Sequence, residues 1–148
     1  MIKVITNENK RVASWAEKHM EDAGWHNPQC FGFEKDGELV GAIIFTDWSK
    51  NDIHVHVAST DKSWWQRRYL SLLFDYTWGT CGCVRVSSVA RVSNEKAQKL
   101  NRTMGFKEEG RVRSYFPKED GTSEDGILFG LLKDEDTPRW YKTQERET

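Results

Sequence analysis

The sequence predicts a mixed α/β domain built on one sheet, with elements in the order βαβββαβαββ. Three observations carry this reading. Segments that alternate apolar and polar residues in steps of two interleave with segments whose apolar residues recur every three or four positions. A chain of 148 residues supports one hydrophobic core and leaves little room for a second. A single strand–helix–strand crossover near the middle, right-handed by chirality, makes two central strands parallel, whereas short turns make the flanking strands antiparallel.

The first strand is Lys3-Val4-Ile5. Val12, Trp15, Ala16, His19, Met20 and Ala23 then form the stripe of an amphipathic helix, with Thr6 or Asn7 as its cap and Gly24 as its end. Cys30–Glu34 and Leu39–Phe45 flank Lys35-Asp36-Gly37-Glu38, where Asp-Gly marks a hairpin turn. Between Asn51 and Ser59, Ile53, Val55 and Val57 alternate with His54, His56 and Ala58, so the two histidines share one face of a strand. From Ser63 to Trp78, Leu70, Leu73, Phe74 and Thr77 lie on one helical face and Trp65, Tyr69, Leu72 and Tyr76 on the next, a helix covered on more than one side. Cys83–Ala90 is the next strand. The helix from Asn94 to Met104 carries Ala97, Leu100, Asn101 and Met104 along one side, with Gly105 just past its end and Phe106 as the anchor beyond. Glu108–Phe116 and Ile127–Leu132 form a last antiparallel pair around Glu119-Asp120-Gly121-Thr122. Residues 1–132 read as the domain and 133–148 as a polar tail, in which Trp140 and Tyr141 are the residues able to dock.

Charge narrows the function classes. With 22 Lys and Arg against 23 Asp and Glu, the net charge of -1 gives no chain-wide basic field for nucleic acid. A local patch, Trp64-Trp65-Gln66-Arg67-Arg68, mixes stacking surfaces with cations and suits an adenine nucleotide as well as a single strand of RNA. No apolar run approaches the length that spans a bilayer, and Met1–Asn7 lacks the apolar core of a signal peptide, so a cytoplasmic location without membrane contact is expected. Three cysteines are an odd number for a disulfide framework, which agrees with a reducing compartment. His54-x-His56 with Cys81-x-Cys83 is not a familiar ligand spacing, and no metal is expected.

The run Asn94-Glu95-Lys96-Ala97-Gln98-Lys99-Leu100-Asn101-Arg102-Thr103-Met104-Gly105-Phe106-Lys107-Glu108-Glu109-Gly110 resembles the N-x-x-A-x-x-L…G-F-x-x-E-G signature of the GNAT superfamily of N-acetyltransferases. Val84-Arg85-Val86 resembles the strand before that helix, and Gly110–Arg113 the strand after it. Asp125–Leu132 resembles the final strand of the ribosomal-protein N-terminal acetyltransferase branch, and the likeness to phage and bacterial members suggests such a source. The resemblance implies a GNAT-type acyl-CoA N-acyltransferase fold, acetyl-CoA as donor and a primary amine as acceptor, with a protein N-terminus or lysine favoured. A small-molecule amine, the amino group of an aminoacyl-tRNA, or a binding module that has lost catalysis are the alternatives.

In such a fold two parallel strands, here 52–59 and 83–90, splay at their C-terminal ends and leave a ligand cleft. Backbone groups of Val57, Ala58 and Ser59 would pair with the pantetheine amides, and a helix starting near Ser63 would aim its N–H groups at the pyrophosphate. The family's glycine-rich loop is replaced by Asp61-Lys62-Ser63-Trp64-Trp65-Gln66-Arg67-Arg68, so Lys62, Gln66, Arg67 and Arg68 are the side chains expected at the diphosphate. Asn94 stands where the family contacts the cofactor arm and is also a good helix cap. Asn101 replaces a tyrosine that many members use as an acid, leaving Ser71, Ser87, Ser88, Tyr115 or water for that part. His54 and His56 are the candidate bases, since imidazole titrates near neutral pH; Asp52 is the weaker choice.

Overall fold

The computed structural model describes residues 1–20 and 24–141. In chain order the elements are β1 (Ile2–Ile5), α1 (Asn9–Met20), β2 (Gln29–Lys35), β3 (Glu38–Thr46), β4 (Asp52–Ser59), α2 (Arg67–Phe74), a π-helical stretch (Asp75–Thr80), β5 (Arg85–Arg91), α3 (Glu95–Met104), β6 (Lys107–Pro117), β7 (Ser123–Leu132) and α4 (Lys133–Asp136). Among the described residues the strands form one sheet of order β1-β2-β3-β4-β5-β7-β6. Only β4 and β5 run parallel, the pair bridged by the α2 crossover; every other pairing is antiparallel. No described helix is long and apolar enough to cross a membrane.

The sheet is covered on both faces because its strands carry apolar residues on both. Val12, Ala13 and Ala16 of α1 pack on Ala42, Ile44 and Ala58. On the other face Tyr69, Leu73 and Phe74 of α2 and Met104 of α3 close over Phe33, Ile43, Phe45, Ile53, Val55 and Val86. The β2–β3 hairpin turns through Asp36 and Gly37, both at positive φ (53° and 85°), as Asp-Gly requires. Gly105, at φ 106°, ends α3 in the left-handed conformation, and Phe106 beyond it is buried.

Several boundaries differ from the sequence reading, among them the start of β5, at Arg85 rather than Cys83, and of β7, at Ser123 rather than Ile127. The helix α1 starts at Asn9, with the Glu8 carbonyl accepting from the Val12 amide, so neither Thr6 nor Asn7 caps it. Ala23, the last residue of the predicted stripe, lies outside the described residues. The second helix starts at Arg67, not near Ser63. Residues 61–66 instead form a turn in which Asp61 Oδ1 accepts from the Ser63 amide (2.6 Å) and the Trp65 amide bonds the Lys62 carbonyl (2.9 Å). Burial of Trp64 explains why helix loses there: its ring stacks on Phe33 (centroids 4.4 Å, 12° between planes) and its Nε1 donates to Ser59 Oγ at 3.0 Å. That ring sits where a side chain at Gly41 would be, because a Cβ on Gly41 would collide with Trp64 Nε1. Lastly, the helix widens into π geometry at Asp75, whose Oδ1 accepts from the Tyr141 hydroxyl at 2.6 Å. The first part of the tail thereby belongs to the packing: Tyr141 is buried against Phe74, and Trp140 meets the same ring edge-on. Residues 142–148 of the predicted tail lie outside the described residues.

Candidate functional site

The site begins where β4 and β5 stop pairing. Their register runs Asp52↔Arg85, Ile53↔Val86 and His54↔Ser87 and then ends, although both strands continue. From there to Ser59 the edge of β4 that faces β5 has no strand partner among the described residues, while its other edge stays bonded to β3 through Gly41↔Ser59. The gap opens a cleft of about 650 Å³, part of it open to solvent, between β4, β5, α2 and α3. Val55, Val57, Leu70, Leu73, Ala97 and Leu100 make it apolar, and His56, Ser88 and Asn101 supply its polar groups.

His54 and His56 share one face of β4 as expected, but they occupy different surroundings. His56 lines the cleft. Its Nε2 lies 2.9 Å from Thr46 Oγ1, and the Trp25 ring stands 5.3 Å from its own. Burial pushes its pKa down to about 4, with the neighbouring His54 adding to the effect and Asp47 opposing it, so the ring is neutral at pH 7. His54 sits one step back, in the paired part of the strand, with Nε2 3.7 Å from Asp52 Oδ2. Asp52 is held in turn by Ser87, whose Oγ donates to Oδ1 at 2.8 Å and accepts from Arg85 Nε at 2.9 Å. Arg85 grips Glu109 of β6 with both terminal nitrogens.

Of the remaining expected residues, Val57, Ala58 and Ser59 do lie on the unpaired edge of β4. Lys62, Gln66, Arg67 and Arg68 gather at the start of α2, all exposed. The Gln66 side chain ties the turn together, donating from Nε2 to the Ser63 carbonyl (2.8 Å) and accepting at Oε1 from Arg68 Nε (3.1 Å). The Arg67 guanidinium lies over the Trp140 ring of the tail, 5.8 Å from its centroid. Tyr69 and Leu70 amides bond the Gln66 carbonyl, so the first-turn N–H groups belong to Arg67 and Arg68 rather than to Ser63. Ser63, whose amide donates to Asp61 Oδ1, holds the Asp61 carboxyl below its usual range, and Lys35 balances that charge from 3.6 Å. Trp64 is buried in the core and offers no stacking surface to a nucleic acid. Asn94 Oδ1 caps α3 by accepting from the Ala97 amide at 3.1 Å.

Residues 3–106 match the model of the acetyltransferase (GNAT) family. The chain belongs to the GNAT acetyltransferases. Members of this family use acetyl-CoA as co-substrate, and the chain is an acetyl-CoA-dependent N-acetyltransferase by that membership. The GNAT fold is also what solved structures share with it. A mutant form of the spermidine N-acetyltransferase SpeG from Vibrio cholerae superposes with a TM-score of 0.74 at 15% identity, over 98% of this chain and 97% of that one. The ribosomal-protein-S5-alanine acetyltransferase from Vibrio fischeri gives 0.68 at 15% identity, over 93% and 94%. No curated protein sequence matches the chain.

The groups present fit an acyl-CoA: an unpaired strand edge for the amides of its arm, apolar walls for the arm itself, and cations with a helix start for its phosphates. Sequence reasoning missed Thr46, Asp47 and Trp25 around His56. Thr46 closes an apolar run and reads as a strand residue; only the diagonal register, with Ile44 opposite His56 and Thr46 opposite His54, brings its hydroxyl to the imidazole.

Proposed function

We propose that this GNAT enzyme acetylates a single amine on a protein, an N-terminus or a lysine, with His56 as the group that accepts the amine's proton. Bound acetyl-CoA supplies an activated thioester. The amides of Val57 to Ser59 align its arm, while Lys62, Gln66, Arg67, Arg68 and the α2 start bind its diphosphate, and Asn94 offers its amide N–H₂ at the mouth of α3. The observation that carries the base assignment is that His56, and not His54, lines the cleft where the strands part. A neutral imidazole there can take a proton directly or through one water. His54, backed by Asp52, lies next along the same face and is the alternative base.

The acceptor class rests on charge. An acceptor with several ammonium groups needs several carboxylates close to where it sits; none is among the described residues lining the cleft, and Asp47, near His56, is engaged by the Thr46 hydroxyl. One amine on an otherwise uncharged backbone has no such need. The test is calorimetric titration with acetyl-CoA, with CoA as product control, followed by turnover assays on N-terminal and lysine peptides against spermidine. Micromolar acetyl-CoA binding with peptide turnover is expected. Turnover of spermidine alone would overturn the acceptor, and no binding at millimolar acetyl-CoA would overturn the site.

A further inference from the structure

The surroundings of His56 contain a hydrogen-bond chain that fixes which of its nitrogens is free. Thr46 Oγ1 lies 3.3 Å from Asp47 Oδ2 and 2.9 Å from His56 Nε2. Thr46 is 5% exposed, so its hydroxyl has little water to turn to. An ionised carboxylate only accepts hydrogen bonds, and a hydroxyl has one proton to give. Both contacts are hydrogen bonds only if Thr46 donates to Asp47 and accepts from an N–H at His56 Nε2. Asp47 reaches back onto Thr46 because its backbone is left-handed, φ 54°, a conformation that Asp tolerates better than most residues.

We infer that Thr46 and Asp47 are positioning residues that hold His56 as the Nε2–H tautomer and leave Nδ1 as its proton acceptor. The inference deepens the reading of His56 as base and rests on it for its catalytic meaning, but the tautomer is a property of the protein without substrate. When Nδ1 takes a proton, the positive ring is buried, and the Asp47 carboxylate offsets that charge through the polarised hydroxyl. Neither residue touches the reacting atoms.

Long-range proton–nitrogen correlation spectra of the histidine-labelled protein read the tautomer directly. The expected result is a single Nε2–H pattern for His56 in the wild type and in Thr46→Ser. Thr46→Val, which keeps the shape and removes the hydroxyl, is expected to lose that preference. Asp47→Gly, which suits the positive φ and removes the acceptor, frees the hydroxyl to donate to Nε2 and should shift the ring toward Nδ1–H. In turnover assays Thr46→Val should lower kcat roughly tenfold or more with little change in the KM for acetyl-CoA, and Thr46→Ser should restore it. An Nδ1–H ring in the wild type, or a tautomer and kcat unmoved by Thr46→Val, would overturn the inference. A tautomer shifted by Thr46→Val, together with full activity in a separate His56→Ala variant, would leave the hydrogen-bond device standing and remove His56 as the base.

Discussion

The two halves of the β4–β5 pair differ more than their continuous strands suggest. In the closed half, from Asp52 to His54 and Arg85 to Ser87, the backbones are bonded and side chains stitch them a second time through Asp52, Ser87 and Arg85. In the open half the same strands share no ladder and face an apolar cleft. A parallel pair has slanted, slightly weaker bonds, and here side chains of its first register pair, Asp52 and Arg85, are tied to Ser87 of its last. The difference teaches that the cleft is made by what holds the strands together below it as much as by what parts them above.

The comparison breaks first at His56. His56→Ala should lower kcat by roughly 10²- to 10⁴-fold, the usual worth of a positioned base, whereas His54→Ala, in the closed half, should cost less; steady-state kinetics on one peptide acceptor decide it. Stability against pH separates the halves next. His56 in the folded state has a pKa of about 4 against an ordinary 6.5, so between these values the unfolded chain binds a proton that the folded chain refuses. The contribution is complete above about pH 6.5 and is lost as pH falls toward 4, on the order of 3 kcal/mol. Urea unfolding at pH 7 and pH 4.5 should show this drop in the wild type and a smaller one in His56→Asn.

In the closed half, Ser87→Ala removes the buried hydroxyl between Asp52 and Arg85 and should cost about 1–3 kcal/mol, read from the midpoint of the same urea curves, while Asp52→Asn should cost less because an amide can still pair. The smallest effect lies at the outer rim. Replacing Arg67 and Arg68 together should raise the dissociation constant of acetyl-CoA at least about tenfold with only a small change in stability, since both are exposed. Loss of Arg67 alone should do less, its guanidinium already being shared with the Trp140 ring.

The order of elements was legible because it rests on periodicity and turn chemistry, both local: Asp36-Gly37 makes its turn and Gly105 ends its helix where the residues say. The helix start near Ser63 was misread because a long-range contact decides it. Trp64 is a passable helix residue by sequence, but its ring fills the space above Gly41, more than twenty positions away, and the chain bends to deliver it. The site was legible in outline for the same reason. Two histidines on one strand face follow from a period of two, but which of them meets the cleft depends on where the β4–β5 ladder stops, and the Thr46 hydroxyl reaches His56 only through the β3–β4 register. The Tyr141 hydroxyl that bonds Asp75, where the π-helical turn begins, comes from 66 positions further along the chain.

The contact between Gly41 and Trp64 ties two positions into one inheritable unit. A methyl group at 41 is admissible only if the ring at 64 is withdrawn, and a smaller residue at 64 leaves a void over Phe33 that glycine at 41 cannot fill. Neither site can drift alone. Among related chains the two should change together, large at 64 with glycine at 41, so that glycine on this strand can serve as a marker for the tryptophan version of the turn before α2.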